Sequence, residues 1–171
     1  FSQQFPIPTE SQLTSNIDAS TTTIPVTDGS LYSANDVVII DKELIKIQSI
    51  AGNVLTSFTR GATLVASDSV QISQTEASTH KDESTVQICY VMSKRFLADV
   101  LADVFIAVGL SAYTNLSQWT AEITEWNSNA FLYGVFHEPE DADKIINKLL
   151  TNYMVDLWLD QATQLVIVNA V

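Results

Sequence analysis

One stretch of the chain indicates the fold of its first half: Val37-Val38-Ile39-Ile40-Asp41-Lys42-Glu43-Leu44-Ile45-Lys46-Ile47-Gln48-Ser49-Ile50. Two runs rich in β-branched and aliphatic residues flank Asp41-Lys42-Glu43, a pattern typical of a tight β-hairpin. Immediately after it, Ala51-Gly52-Asn53 predicts a second hairpin turn, which leads into the strand Val54-Leu55-Thr56-Ser57-Phe58. The centre of this half is therefore expected to be an antiparallel meander.

Shorter strand signals lie on both sides of this meander. Thr21–Val26 is β-branched and is followed by the turn Thr27-Asp28-Gly29-Ser30, and Val70-Gln71-Ile72 closes the set. Short strands with closely spaced turns favour a small barrel or sandwich. We therefore predict a small all-β, barrel-like domain over residues 17–74, preceded by an extended lead-in over residues 1–16.

The middle of the chain lacks hydrophobic periodicity. Residues 74–85 are almost entirely polar, which is typical of a boundary between domains. We place a linker at residues 75–90 and a second domain at residues 91–171.

In the second domain the apolar period changes to that of a helix. Leu97, Val100, Leu101, Val104, Phe105 and Val108 share one helical face. Ser93 is expected to cap the start of this helix, and Gly109 suits the left-handed position after its end. A second helix is predicted from Leu116 to Trp126, with Trp119, Ile123 and Trp126 on its core face.

The last third of the chain predicts a strand, a helix and a hairpin. Ala130–Phe136 is apolar and aromatic, and Pro139 is expected to open a third helix at its first turn. The buried face of that helix is predicted to comprise Ile145, Ile146, Leu149, Leu150 and Tyr153. Val155–Leu159 and Gln164–Val168 bracket a terminal turn. The whole chain is therefore predicted to be α+β: a small β-barrel-like domain, then two helices followed by β-α-β-β.

Charge excludes some functions. The 171-residue chain carries a formal net charge of −12, with 20 acidic against 8 basic residues. The acids are spread evenly along it, so no basic patch is hidden by the average. Binding to nucleic acid through phosphate neutralisation is therefore not expected, and neither is attraction to an anionic membrane surface or insertion into it.

Sequence motifs for catalysis or cofactors are missing. The chain contains no Gly-x-Ser-x-Gly, no phosphate-binding loop and no Gly-x-Gly-x-x-Gly. His80, His137 and Cys89 are too few and too scattered to predict a zinc site, and Cys89 is interpreted as a small buried hydrophobe. The acidic run Glu138–Asp143 has the oxygen ligands that calcium prefers, but it also suits the first turn of a helix.

Three further sets of residues allow a functional or a structural interpretation. Glu122 and Glu125 form a carboxylate pair of the kind found in sugar hydrolases, although a solvated helix face is the preferred interpretation. The aromatic residues Tyr113, Trp119, Trp126, Tyr133 and Trp158 suit either a carbohydrate platform or core packing. Arg60, the only arginine of the first half, can pair with one of the acids between Ile17 and Ser73, and a structural turn is favoured over ligand binding. We assign no catalytic, cofactor-binding or metal-binding residue and no cofactor.

The first half resembles a small β module of tailed-phage structural proteins. The resemblance rests on four stretches, Ile17–Asp28, Val38–Ile45, Gly52–Thr56 and Thr59–Ala62. In that module a strand ends in an Ile-Asp-Gly-Glu hairpin, followed by Gly-Asn-x-Leu-Thr and then Thr-Arg-Gly. Lys42 stands where the module usually has glycine, and positive φ costs a non-glycine residue about 1 kcal/mol. We therefore expect this hairpin to use a different turn type.

The second half resembles a domain of the tail hub, or baseplate hub, proteins of long-tailed phages. The matching residues are Glu138-Pro139, the helix around Ile145–Leu150, the strand Leu157-Trp158-Leu159-Asp160 and the return strand Gln164–Ile167. The resemblance implies a structural protein of the phage tail and not an enzyme. It also implies assembly in the cytoplasm of a bacterial host, other tail or baseplate proteins as partners, and a homotrimer in the assembled tail. A host-surface carbohydrate-binding or glycan-cleaving tail module is the alternative.

Overall fold

The computed structural model describes residues 3–6 and 8–170, with the backbone alone at residue 170. The chain is α+β and mostly β, with a curled six-stranded sheet that forms a half-barrel. It divides into two compact units. We call residues 8–93 with 134–138 the β unit, and the described residues of 1–7, 94–133 and 139–171 the mixed unit.

The strands and helices have the following bounds. The strands are β1 Gln4–Phe5, β2 Glu10–Gln12, β3 Ile24–Pro25, β4 Val37–Ile40, β5 Glu43–Ala51, β6 Val54–Thr59, β7 Thr63–Val65, β8 Gln71–Gln74, β9 Thr85–Ile88, β10 Tyr90–Phe96, β11 Phe131–Phe136, β12 Glu140–Asp141, β13 Val155–Asp160 and β14 Leu165–Ala170. The helices are α1 Leu97–Ala107, α2 Leu116–Trp126 and α3 Ala142–Tyr153, with 3-10 turns at Gly29–Leu31 and Ser111–Tyr113.

The half-barrel of the β unit has the strand order β2-β9-β4-β5-β6-β3, and β7 pairs with β8 beside it in the same unit. The sheet buries one apolar cluster, which comprises Leu13, Ile17, Ile24, Val26, Tyr32, Val38, Ile40, Ile45, Ile47, Leu55 and Val86. A second cluster comprises Val37, Leu44, Ala62, Leu64 and Cys89, with Val135 of β11 packed against it.

The central hairpin is confirmed, and its turn differs from that of the resembled module. Ile40 pairs with Glu43, so the turn comprises Asp41 and Lys42 alone. Asp41 adopts the left-handed conformation with φ of 52°, and Lys42 does not. The expected change of turn is therefore present, and the strained residue is the aspartate before the lysine.

The second hairpin turn depends on two glycines. Gly52 has φ of 57°, which suits a residue without a Cβ. A Cβ on Gly29 would lie 2.1 Å from the Gly52 carbonyl oxygen. The Asn53 side chain fastens the contact, because Oδ1 accepts from Gly29 N at 3.0 Å and Nδ2 donates to the Thr27 oxygen at 3.1 Å.

The structure differs from the predicted lead-in and linker. Within residues 1–16, β1 and β2 pair with β12 and β9 respectively. Within residues 75–90, β9 lies inside the half-barrel between β2 and β4. Polar composition misled the boundary prediction, because non-local partners satisfy the backbone of these strands, and polar side chains such as Ser11 and Gln87 are buried in them beside Phe5 and Val86.

In the mixed unit, the end of α1 agrees with the prediction and its start does not. Gly109 has φ of 77°, and its N–H donates to the Ile106 oxygen while Leu110 N–H donates to the Phe105 oxygen. These are the two bonds of a Schellman motif. Ser93 belongs to β10, and Phe96 occupies the N-cap without a side-chain hydrogen bond.

The second helix has its predicted bounds, with Trp119 and Ile123 buried. Trp126, predicted to face the core, is 51% exposed. The third helix begins at Ala142, three residues later than Pro139, because Glu140 and Asp141 form β12 and pair with β1. On α3, Ile145 and Leu149 are buried, whereas Ile146, Leu150 and Tyr153 are half-buried.

The predicted terminal hairpin is β13–β14, whose register pairs Val155 with Ala170 and Asp160 with Leu165. Strand β14 packs on α2. The predicted strand at Ala130–Phe136 is β11, which pairs with β10. Both β10 and β11 run from one unit into the other.

Candidate functional site

A carboxylate is fully buried where β5 begins. The Glu43 side chain has no exposed surface, although the strand around it is apolar. A buried ionised carboxylate is costly unless its oxygens accept several hydrogen bonds. The groups around Glu43 therefore decide whether its charge is stable there.

Arg60, which directly follows β6, holds Glu43 with two parallel bonds. Its Nε donates to Oε1 at 2.6 Å, and one terminal nitrogen donates to Oε2 at 2.8 Å. The same guanidinium donates to the carbonyl oxygens of Asp18 at 2.8 Å and Ser78 at 2.6 Å. This bidentate geometry is the strongest that arginine forms with a carboxylate, and it ties three separate segments of the β unit together.

Backbone donors complete the carboxylate shell. Gly61 N–H donates to Oε1 and Ser78 N–H donates to Oε2, both at 2.9 Å. Gly61 has φ of 53°, and a Cβ there would lie 2.5 Å from the Ala77 nitrogen. Arg60 and Gly61 therefore act together: the arginine supplies the positive charge opposite Glu43, and the glycine lets the backbone come close to Ala77.

His80 joins two carboxylates and is itself 1% exposed. Its Nε2 lies 2.8 Å from Glu43 Oε2, and its Nδ1 lies 2.6 Å from Asp41 Oδ2. An ionised carboxylate only accepts, so both contacts are hydrogen bonds when both ring nitrogens carry a proton. We call Asp41, Glu43, Arg60 and His80 the Glu43 cluster.

The Glu43 cluster is not arranged to hold a metal ion. Its two carboxylates lie on opposite ring nitrogens of His80, so their oxygens do not converge on a common point. Over residues 3–6 and 8–170, no group of three or more His, Cys, Asp or Glu side chains is placed to bind a metal. Both oxygens of Glu43 already accept hydrogen bonds, from Arg60 and Gly61 at Oε1 and from Arg60, Ser78 and His80 at Oε2.

Electrostatics keeps Glu43 ionised. Burial by itself raises its pKa, but the hydrogen bonds from Arg60, His80, Ser78 and Gly61 outweigh burial and lower the pKa from 4.5 to about 2. A carboxylate with so low a pKa is a poor proton donor or acceptor near neutral pH. The geometry therefore supports a structural role, and the predicted pairing of Arg60 with an acid is confirmed.

Sequence reasoning did not find the Glu43 cluster. The partners of Glu43 lie 17, 35 and 37 positions away along the chain, and His80 was placed in a linker. Two signals were present: a glutamate at the start of an apolar strand, and a single arginine in this half. The resemblance contained both residues without indicating that they meet.

Cys89 is buried in the second cluster of the β unit. Burial raises the pKa of its thiol to about 12, which keeps it protonated and unreactive. The interpretation as a small buried hydrophobe is confirmed.

Glu125 of α2 does not lie in an aromatic groove. Glu125 borders a shallow depression on the outer side of α2 with Leu116, Ser117, Thr120, Ala121 and Thr124. Trp119 faces the other way: it is 0% exposed, its ring packs edge-on against Phe105 at 5.2 Å, and its Nε1 donates to the Val166 oxygen at 2.7 Å. Core packing is confirmed for Trp119.

The acidic run Glu138–Asp143 pairs with lysines of α3. Lys148 Nζ lies 2.7 Å from a Glu140 carboxylate oxygen, and Lys144 Nζ lies 3.0 Å from Asp141 Oδ2. These exposed pairs occupy carboxylates that the calcium interpretation required, and the run itself forms β12 and the first turn of α3 instead of a metal-binding loop.

Large apolar side chains are exposed on the mixed unit. They include Ile106, Leu110, Tyr113, Leu116, Trp126, Tyr133, Met154, Trp158 and Leu159. Apolar side chains exposed singly are ordinary on a protein surface, whereas a contiguous patch of them is typical of a binding surface.

None of the described helices is both long and apolar enough to cross a bilayer. Comparison with protein-family models gives no match for this chain, and comparison with curated proteins gives none either.

Proposed function

We propose that this chain is a structural component of a phage or prophage tail tip or baseplate hub, where it acts as an assembly and interaction module. The observation that carries the proposal is the Glu43 cluster. Glu43, Arg60 and Gly61 are residues through which the sequence resembles the phage β module, and in the structure they hold the half-barrel together.

The arrangement of the other residues supports a binding role in preference to catalysis. The buried acid Glu43 has both carboxylate oxygens engaged in hydrogen bonds, and the surface acid Glu140 is paired with Lys148. The exposed large side chains of the mixed unit are apolar. We propose that these surfaces contact other tail or baseplate proteins, that the assembled form is a homotrimer, and that the chain is not an enzyme.

Co-purification with virus particles tests this proposal. Particles from the organism that encodes the chain, either released phage or induced prophage, would be banded on a density gradient and analysed by mass spectrometry. We expect peptides of this chain in the particle band at a constant ratio to the major tail protein. A chain that remains in the particle-free fractions, while tail proteins are in the band, would contradict the proposal.

A second function is favoured by one observation. Trp126 and Trp158 are 51% and 50% exposed, and half-exposed indole rings suit a carbohydrate platform. Under this alternative the chain is a host-surface glycan-binding or glycan-cleaving tail module. Binding to a glycan array that is lost in Trp126→Ala or Trp158→Ala, with the buried Trp119 left intact, would favour it.

A further inference from the structure

The terminal hairpin β13–β14 has two edges, and they differ. In a two-stranded antiparallel sheet, each strand directs half of its backbone groups at its partner and the other half away from it. An edge strand with unpaired backbone groups readily accepts another strand, and proteins usually protect such edges.

The outer edge of β14 is closed by two side chains of α2. Gln118 Nε2 donates to the Val168 oxygen at 2.9 Å, and Val168 N–H donates to Gln118 Oε1 at 3.2 Å. The next residue of α2 is Trp119, whose Nε1 donates to the Val166 oxygen at 2.7 Å. The side chains of a helix thus substitute for a neighbouring strand.

The same bonds fix which backbone groups of β13 face outward. Leu157 is opposite Val168, and Leu159 is opposite Val166. Opposite residues in an antiparallel pair face each other or face away together, so the N–H and C=O groups of Leu157 and Leu159 point away from β14. No other strand pairs with β13 among the residues that the structure describes.

The side chains along this edge have a definite chemical pattern. Asp156, Trp158 and Asp160 alternate with Leu157 and Leu159, and alternate residues share one face of a strand. Trp158 and Leu159 are about half exposed. The edge therefore presents an indole ring beside the Asp156 carboxylate. On the other side of the ring, Asp160 adds a second negative charge, and its oxygens also accept from Ala162 N–H at 3.0 Å and Thr163 Oγ1 at 2.6 Å in the hairpin turn.

We propose that the outer edge of β13 binds an extended basic segment of a partner protein by strand addition. The segment carries Lys or Arg opposite Asp156 and Asp160 and an apolar residue opposite Trp158. Opposite charges on facing residues stabilise a strand pair and select its register. This inference rests on the proposed role as an assembly module and specifies the chemistry of one partner.

Charge argues against a second copy as the occupant. If two copies of β13 paired antiparallel about Trp158, Asp156 of each would face Asp160 of the other, and like charges opposite each other are destabilising. Each copy also carries a net charge of −12. A basic partner removes both penalties.

Peptide binding to the full chain tests the proposal. The probe is a fluorescently labelled heptapeptide of sequence SKTFTKS, and the control peptide SETFTES has the opposite charge; binding is followed by fluorescence anisotropy. We expect the basic peptide to bind about tenfold or more tightly than the acidic one. Asp156→Asn with Asp160→Asn should weaken binding by about tenfold, whereas Glu125→Gln, on the outer side of α2, should leave it unchanged.

Backbone methylation separates strand addition from simple charge attraction. Two versions of the basic peptide are made. One is N-methylated at the odd-numbered residues and the other at the even-numbered residues, so each version loses the N–H groups on one edge of the strand. Strand addition predicts that one set abolishes binding and the other preserves it. Equal binding of both methylated peptides, equal binding of the acidic peptide, or self-association of the chain through β13 in sedimentation velocity would each overturn the proposal. Association with virus particles is measured separately. A chain that is present in particles but does not bind the peptide would therefore refute strand addition at β13 and leave the proposed function standing.

Discussion

At the scale of single residues, Glu43 is the centre of the β unit. It is completely buried and receives bonds from an arginine, a histidine and two backbone N–H groups. Removal of one member of a buried ion pair leaves the other without compensation. The cluster should therefore dominate the stability of the half-barrel.

Replacing Glu43 by its neutral isostere tests this dependence. We expect Glu43→Gln to lower the free energy of unfolding by about 3 kcal/mol, because Arg60 then stays buried without a counter-charge. Urea denaturation followed by circular dichroism measures the loss. Glu76→Gln, at an exposed position of the same unit, is the control and should change stability by less than about 0.5 kcal/mol. Equal midpoints for the two variants would contradict the structural role.

The lowered pKa of Glu43 predicts a specific pH dependence. Because the pKa is about 2 in the folded state against an ordinary value of 4.5, Glu43 stabilises the fold fully above about pH 4.5. This contribution should disappear as the pH falls from about 4.5 towards 2. Urea midpoints of the natural chain and of Glu43→Gln, measured over this range, should converge. A difference that is constant with pH would show that ionisation of Glu43 does not matter.

At the scale of elements, local signals predicted the three helices and the central and C-terminal hairpins, but they missed several strands, among them β1, β2, β9 and β12. Local sequence indicates two hairpin turns and one helix end, because each contains a residue type that tolerates positive φ. These residues are Asp41, Gly52 and Gly109. The start of α3 was predicted at Pro139, where the sequence favours a helix. Non-local pairing with β1 overrides that preference, and no local pattern reveals it.

The end of α1 supplies a test at this scale. Gly109→Ala should lower the free energy of unfolding by about 1 kcal/mol, because alanine pays for the left-handed conformation. Thermal unfolding of the mixed unit can be followed by tryptophan emission, because Trp119, Trp126 and Trp158 all lie in this unit. Asparagine tolerates this conformation better, so Gly109→Asn is the matched control and should lose less. A larger loss for asparagine than for alanine would contradict the Schellman assignment.

At the scale of the whole molecule, the chain is two units whose sequences interleave. Residues 134–138 return to the β unit after an excursion of the chain through the mixed unit. These residues contribute to the core of the β unit, since Val135 packs on the cluster that contains Val37 and Leu44. A boundary read from composition therefore predicted two domains but assigned this segment to the wrong one.

A fragment of residues 8–93 tests the interleaving. It contains every strand of the half-barrel and should fold, but less stably than the same unit in the whole chain, because Val135 is missing from its core. Val135→Ala in the whole chain should reproduce part of the loss. Hydrogen exchange of the β4 and β5 amides measures both. Unchanged protection in the fragment would show that residues 134–138 do not stabilise the β unit.

A component of a tail tip or baseplate hub has a defined position on the virus particle, which immunogold labelling reveals. Particles from the encoding organism would be labelled with gold-conjugated antibody raised against this chain, with pre-immune serum and antibody to a known tail protein as controls. We expect gold at the distal tip of the tail. Unlabelled particles, on which the control antibody binds normally and detergent-opened tips also remain bare, would contradict it.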